Sequence, residues 1–276
     1  MKCYNSASCT YTIVSYHLDQ PSSVSATGLL PHSCVMSTME LINVAPSEIT
    51  FTAQVGHSEY SVIFVVVIRN NTYAMKVVGE PCQSFVFSNA HHQHHYYERD
   101  PHSSPSRETI PYVCEATAYR RLKEFGVCDS GIVPQFYGTI ENLDARQCMP
   151  HLYMFLDDKC PPNAILMEYI PNMQALHPTN YSKRRMENFI NGIEQIHKAL
   201  VLHSDTSPRN MMVFQDDPER AIWIDFDRAQ TLHANSLTER KKEWISFEKE
   251  LVVDMGECMV SDQSARSVNL SASEDR

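Results

Sequence analysis

The sequence has no apolar run long enough to cross a membrane and no recognisable secretory signal. Its longest apolar run, residues 62–68, is far shorter than the roughly 20 residues that a spanning helix requires. Residues 1–30 are polar and rich in serine, with one lysine and no continuous apolar stretch, which is unlike a signal peptide. These absences predict a cytoplasmic protein, with the nucleus as the alternative location, and no membrane partner.

Basic residues are also scarce. The chain has 23 lysines and arginines against 33 acidic residues, a formal net charge of −10 and a pI near 5.7. A protein that binds the phosphate backbone needs a basic face, and a peripheral protein that relies on anionic lipid needs one as well. The composition therefore predicts that nucleic acid and anionic membrane surfaces are not partners.

The nine cysteines show no CxxC pair, and their number is odd. Disulfide frameworks are typical of secreted chains with an even number of cysteines at regular spacing. The pattern therefore favours a reducing compartment and free thiols that fill apolar space.

The order of hydrophobic patterns predicts an α+β fold whose first half is a sheet. The sequence is 43% hydrophobic, which is enough apolar material to bury a sizeable core. Segments 48–55, 62–68 and 72–78 have strand patterns separated by turn residues, which is typical of an antiparallel meander. A helix is predicted from Pro111 to just before Gly126. Two more strands are predicted at 132–140 and 164–169.

The second half begins with a stronger helical pattern. Apolar residues recur at helical spacing over 186–200, and Asn180 or Ser182 could cap the start of this helix. Segments 211–214 and 221–224 predict a hairpin, and a last amphipathic helix is expected around 246–255. Together the two halves predict two lobes around a cleft.

Four regions are predicted along the chain. Residues 1–45 are expected to be a flexible extension, and residues 46–170 a first lobe with a polar insertion at about 81–107. Residues 171–258 are expected to form a shortened second lobe, and residues 259–276 a disordered tail.

The predicted insertion contains four histidines within residues 91–95. Histidines are common metal ligands, but no cysteine or carboxylate stands near them at regular spacing, so a mobile loop is the favoured interpretation.

Three polar residues in the second half point to a specific chemistry. Asp205 and Asn210 follow the buried helix, and the predicted hairpin returns the chain so that Asp225 can face the same cavity. Burying such groups is costly unless they have a role. Mg²⁺ prefers hard oxygen ligands such as a carboxylate and an amide oxygen, which Asp225 and Asn210 offer. Asp205 is then left to orient a hydroxyl and to accept its proton.

The motif His203-x-Asp205-x-x-x-x-Asn210, followed by Asp225-Phe226-Asp227, resembles the catalytic loop and metal-binding motif of the protein-kinase-like superfamily. The resemblance covers about residues 48–256. It implies a two-lobed kinase-like fold that binds ATP and Mg²⁺, with Asp205 as the catalytic residue and Asn210 and Asp225 as metal ligands. In the superfamily the residue corresponding to His203 organises the loop.

The same resemblance assigns roles to residues of the first half. Lys76, in a strand, corresponds to the lysine that holds the ATP phosphates, and Glu115 corresponds to the glutamate that pairs with it, with Glu108 as a rival. Glu168 and Ile170 lie in the segment that corresponds to the adenine-binding hinge. Gly56 is the one glycine retained where a glycine-rich loop would cover the phosphates.

Departures from the superfamily pattern indicate a particular branch. Ser204 replaces the usual arginine, Ser207 stands where many kinases have lysine, and Asp227 replaces the glycine of the DFG motif. Asp227 is interpreted as a turn cap rather than an additional metal ligand. No APE motif follows. The sequence is more similar in these respects to aminoglycoside and choline phosphotransferases, or to small kinase-like proteins of fungi, than to regulated signalling kinases.

Two functions follow from the resemblance. The first is an ATP-dependent phosphotransferase that acts on a hydroxyl of a protein or a small molecule. The alternative is a pseudokinase, which uses the fold as a protein-interaction module, and the sparse glycines of the loop favour it. The short segment after Asp225 predicts a minimal second lobe, or else a truncated product.

Overall fold

The computed structural model describes residues 40–58, 60–79 and 107–274, with side chains as far as residue 261. The predicted insertion, including the histidines of 91–95, and most of the predicted N-terminal extension lie outside these residues. Within them the fold is α+β, with one five-stranded sheet, two smaller sheets and three α-helices. No helix among them is both long and apolar enough to span a bilayer.

The large sheet is antiparallel throughout and has the strand order β1-β2-β3-β5-β4. Its strands are β1 (Thr50–His57), β2 (Ser61–Ile68), β3 (Asn71–Val78), β4 (Phe136–Ile140) and β5 (Asn163–Glu168). The expected meander is thus present as β1–β3. Helix α1 (Pro111–Glu124) packs against β4 and β5. It begins with proline at its first position, where the missing N–H costs nothing.

The second half contains two long helices and short strands. Helix α2 (Lys183–Lys198) begins after Ser182, whose hydroxyl accepts a hydrogen bond from the N–H of Arg185, as expected of an N-cap. The strands are β6 (Gln174–Ala175), β7 (Val201–Leu202), β8 (Met211–Val213), β9 (Ala221–Trp223) and β10 (Gln230–Thr231). The predicted hairpin is β8–β9. Helix α3 (Glu239–Glu274) begins earlier and ends later than its sequence pattern indicates.

Two large apolar clusters hold these elements together. One cluster joins α1, α2, α3 and the short strands, and includes Tyr119, Phe189, Trp223 and Phe226. The other covers the opposite face of the large sheet. There the connection between β4 and β5 contributes two short 3₁₀ helices, Ala145–Cys148 and Tyr153–Phe155, whose apolar side chains bury the sheet face. This connection was not predicted from the sequence.

Residues 40–45, the described end of the predicted N-terminal extension, lie along β4. The N–H of Leu41 donates to the carbonyl of Tyr137 at 2.6 Å, and Val44 is buried. Gly138, with φ of +127°, lies where an added Cβ would be 3.2 Å from the Leu41 carbonyl oxygen. Glycine therefore permits this close approach of the two backbones.

The cysteines depart from the prediction at one position. Cys114, Cys128, Cys148 and Cys258 have free thiols, and all but Cys258 are buried. Cys160, in contrast, is disulfide-bonded. The expectation of free thiols was wrong at Cys160, because spacing along a sequence does not reveal which distant cysteines meet in space.

Candidate functional site

A buried ion cluster joins three elements that are far apart in sequence. The Lys76 ammonium of β3 lies 2.6 Å from Oε2 of Glu115 on α1. It also lies 2.7 Å from Oδ1 of Asp225, which follows β9. The side chains of Lys76 and Glu115 are only 4% and 1% exposed. Two carboxylates therefore share one ammonium with little help from water.

The electrostatics of this cluster favour an additional cation. Burial raises the pKa of Glu115, and the charge of Asp225 raises it further, while Lys76 opposes both effects. Burial also raises the pKa of Asp227 to about 7, again with a contribution from Asp225. Both pKa values are raised mainly by burial, which disfavours the charged form, and in part by the like charge of Asp225. A divalent cation beside Asp225 would reduce this repulsion between like charges.

The rival partner for Lys76 has another role. Oε1 of Glu108 accepts hydrogen bonds from the backbone N–H groups of Thr109 and Ile110, at 2.8 and 2.9 Å. Glu108 thus satisfies donors just before α1 begins. Of the two glutamates weighed from the sequence, Glu115 is the one in contact with Lys76.

Asp205 and Asn210 are held together in the loop between β7 and β8. Ser207 donates its hydroxyl to Oδ1 of Asp205 at 2.7 Å, and the Arg209 guanidinium ion-pairs with Oδ2. The side-chain amide of Asn210 donates to the backbone carbonyl of Asp205 at 2.9 Å. The short 3₁₀ helix Pro208–Asn210 creates this geometry by bringing the ends of the loop together.

The donor set fits magnesium with phosphate oxygens as further ligands. Asn210 is buried, and its nitrogen is used by Asp205, so its oxygen is the atom suited to a metal. Asp225 supplies a carboxylate, the other hard donor that Mg²⁺ prefers. Among the described residues, no three His, Cys, Asp or Glu side chains form a metal site by themselves.

Two residues beside the candidate catalytic groups have left-handed backbone conformations. Ser204 has φ of 63° and Asp225 has φ of 66°. Non-glycine residues rarely adopt this region, and they do so where the surroundings impose it. Here the constraint on Ser204 is visible, because its backbone N–H is bound by a buried carboxylate.

That carboxylate is Glu248 of α3, which was not singled out from the sequence. Its Oε2 accepts the N–H of His203 at 3.0 Å, and its Oε1 accepts the N–H of Ser204 at 2.6 Å. Nε2 of His197 on α2 lies 2.7 Å from the same carboxylate. Burial opposes the charge of Glu248, but the bonds to His197 and Ser204 outweigh it and lower the pKa. A charged Glu248 therefore fixes the start of the loop.

His203 is buried beside this carboxylate and has a packing role. Its Nε2 lies 3.0 Å from the carbonyl oxygen of Ile224, and its ring lies 4.6 Å from the ring of Phe226 between centroids. These contacts tie the Asp205 loop to the segment that carries Asp225. They agree with the role of loop organiser that the sequence suggested.

Gly56 is placed within β1 and not in a loop. It pairs with Ile63 of β2, and an added Cβ would make only ordinary contact with that side chain. The turn between the two strands is organised by Ser58 instead. Its hydroxyl accepts the N–H groups of Tyr60 and Ser61, at 3.2 and 3.1 Å.

Glu168 and Ile170 lie at the end of β5, where the chain leaves the large sheet. The N–H of Glu168 donates to the carbonyl of Gln135 at 2.8 Å. Ile170 is buried in a small cluster with Met212, Phe214 and Ile222. This segment connects the large sheet to the helical half of the chain.

An open pocket brings two of the predicted site residues, Asp205 and Asp225, to one place. Asp227, Ser58 and Tyr60 line it as well. Lys76 does not line the pocket itself, but its ammonium is ion-paired with Asp225, which does. The other six sequence-predicted site residues do not line this pocket: Gly56, Lys76, Glu115, Glu168, Ile170 and Asn210. Asp227 does, so its carboxyl belongs to the site.

Comparison with protein-family models finds no match for this chain, and neither does comparison with curated proteins. The functional interpretation therefore depends on the geometry and chemistry of the site.

Proposed function

We propose that this protein is an ATP- and Mg²⁺-dependent phosphotransferase with a two-lobed kinase-like fold. The observation that carries the proposal is the buried Lys76–Glu115–Asp225 cluster, which borders the same pocket as Asp205. Phosphoryl transfer requires positioning and charge neutralisation more than covalent help from the protein. A buried lysine, paired acids and an amide provide such equipment.

Each residue has a definite part in the proposed reaction. Lys76 holds the nucleotide phosphates, and Glu115 fixes Lys76. Asn210 and Asp225 hold Mg²⁺, which neutralises the charge of the phosphates when bound. Asp205 orients the acceptor hydroxyl and takes its proton as the oxygen bonds to the γ-phosphorus and the bond to the departing ADP breaks.

The proposal also covers the adenine site, the acceptor and the cellular location. The backbone from Glu168 to Ile170 would receive adenine, and the turn after Gly56 would lie near the phosphates. The acceptor is a hydroxyl of a protein or a small molecule, and not nucleic acid, because the chain is strongly acidic. The proposed location is the cytoplasm or the nucleus.

A second candidate function is a pseudokinase, which acts as a protein-interaction module. Ser58 uses its hydroxyl to bind the N–H groups of Tyr60 and Ser61, which are the kind of donors that cradle phosphates in nucleotide-binding loops. Arg209 occupies one oxygen of Asp205. Both contacts would have to open, or be shared, for efficient catalysis.

The proposal is tested by thermal unfolding with and without Mg-ATP, alongside a search for ATP consumption. A ligand at a concentration equal to its Kd stabilises the folded state by RT ln 2, about 0.4 kcal/mol. We expect a shift that requires Mg²⁺ and disappears in Asp225→Ala. Asp205→Asn should keep the shift and lose turnover.

The outcomes separate the two candidates. A magnesium-dependent shift with turnover that Asp205→Asn abolishes supports the phosphotransferase. A shift without turnover on protein or small-molecule acceptors favours the pseudokinase. No shift in a folded protein contradicts the ATP site altogether, and turnover unchanged by Asp205→Asn contradicts the role of Asp205.

A further inference from the structure

One side of α3 packs on the protein and another side is left uncovered. Glu248, Val252 and Met259, spaced four and seven apart, are buried, and Gly256 lies against Met186 of α2. This spacing places them along one side of the helix. Beside them runs a second row that the described residues leave exposed.

The exposed row is apolar. Trp244, Phe247 and Leu251 are 40%, 58% and 42% exposed, and the exposed Cys258 continues the row seven residues after Leu251. Spacings of three, four and seven put these side chains on a single stripe. Single exposed apolar residues are ordinary, whereas a continuous stripe on one helix is typical of an interaction surface.

The far edge of this stripe is acidic. Glu243, Glu250 and Glu257 recur every seven residues along it, and Asp254 lies beside them. All four are exposed. Lys249 is the one basic residue between positions 243 and 261, and it is ion-paired with Glu194 at 2.6 Å. Arg240, whose guanidinium lies 5.4 Å from the centre of the Trp244 ring, places one positive charge at the start of the stripe. From Glu250 onward the edge carries only negative charge.

A second copy of this chain does not match that charge pattern. Antiparallel pairing of two stripes would bring Glu243, Glu250 and Glu257 against the same residues of the other copy, and like charges at this position are unfavourable. Parallel pairing would bring the acidic edge of one copy to the opposite edge of the stripe, which already packs on α2.

We infer that the stripe Trp244–Phe247–Leu251–Cys258 and its acidic edge form a docking surface for a basic amphipathic helix of a partner protein. The apolar face of such a helix would cover the stripe, and its lysines or arginines would face the acidic edge. This surface is separate from the pocket of Asp205 and does not depend on phosphotransfer.

The test uses a fluorescent synthetic peptide of about 14 residues, composed of leucine at helical spacing and lysine elsewhere. Binding is measured by anisotropy to the full chain at low and high salt. Leu251→Glu should weaken binding about tenfold or more, because it puts a buried charge in the interface. Val253→Glu is the matched control, since Val253 is 37% exposed on the other side of α3 and should leave binding within about twofold.

A double variant tests the charge of the edge. Glu250→Lys with Glu257→Lys should weaken binding at low salt by about fivefold or more, and high salt should reduce the difference. A peptide with glutamate in place of lysine should not bind. Equal effects of Leu251→Glu and Val253→Glu would overturn the proposal. A wild-type dimer in sedimentation that Leu251→Glu abolishes would also overturn it, by assigning the stripe to a second copy.

Discussion

Lys76 lies between the carboxylates of Glu115 and Asp225, so its charge stabilises both of them. Replacing Lys76 by methionine removes this charge and leaves the two carboxylates to repel each other. Breaking a buried ion pair from one side costs about 3–5 kcal/mol, and we expect a loss of this size near pH 8 in urea unfolding. Glu115→Gln in the same chain should recover part of the loss.

The pH dependence of this variant has a definite sign. Burial and Asp225 already raise the pKa of Glu115 in the folded state, and removing Lys76 raises it further. The folded state then holds a proton that the unfolded state releases above its pKa of 4.5. Stability is therefore retained at low pH and lost as the pH rises through the folded pKa. A deficit that is equal at pH 5 and pH 8 would contradict this explanation.

At this scale the sequence singled out residues whose spacing is distinctive, and their roles stay predictions. Asp205, Asn210 and Asp225 stand at intervals that a loop and a hairpin require, and Lys76 and Glu115 followed from the resemblance. Glu248 could not be predicted, because it is one of several glutamates on α3 and its partners are backbone N–H groups. Every residue except proline has a backbone N–H, so the sequence does not show which of these groups a glutamate binds.

Helix α2 and strand β9 meet closely at Gly192, where a larger residue would press on its neighbours. A Cβ on Gly192 would lie 3.1 Å from the ring of Trp223 and 3.2 Å from Cγ2 of Ile132. Trp223 is also fixed through its indole N–H, which donates to the carbonyl of Phe189 at 3.1 Å. The ring therefore has little freedom to move away.

Gly192→Ala should consequently destabilise the protein. Overpacking costs about 1–3 kcal/mol, and the better helix propensity of alanine returns up to about 1 kcal/mol. Gly256→Ala is the matched control, because its Cβ would meet the side chain of Met186 at 2.9 Å, and methionine adapts easily. Urea unfolding should show the larger loss for Gly192→Ala. A larger loss for Gly256→Ala would contradict this account of the α2–β9 contact.

Elements with a regular period were predicted well, and irregular ones were not. Strands β1–β3, the hairpin β8–β9 and helices α1 and α2 follow from alternation or helical spacing. The connection between β4 and β5 buries Leu143, Leu152 and Phe155, but these residues have no regular spacing. The packing of such a segment depends on the sheet face that it covers, which is tertiary information.

For the molecule as a whole, Glu248 ties α2, α3 and the Asp205 loop to each other. Its pKa in the folded state is below its usual value of 4.5, so the stability that it provides is complete above pH 4.5 and is lost as the pH falls through the folded pKa. Glu248→Gln should lower the free energy of unfolding at pH 7 by about 1–3 kcal/mol, the cost of poorly satisfied buried groups. The difference should shrink near pH 3.

The matched control for this change is Glu250→Gln, two positions along α3 and exposed. It should leave both the stability and its pH dependence nearly unchanged. Curves of unfolding free energy against pH that run parallel for wild type and Glu248→Gln would show that the charge of Glu248 is not what secures the loop.

The contact between Lys76 and Asp225 spans 149 positions of the chain, and this separation affects the order in which the site can form. Lys76 and Glu115 emerge from the ribosome long before Asp225, whose carboxylate arrives only after α2 and the hairpin have been synthesised. Contacts of such long range are slow to form, because a long loop must first be closed at a cost in chain entropy. The ion cluster therefore cannot be complete before the chain has been made as far as residue 225.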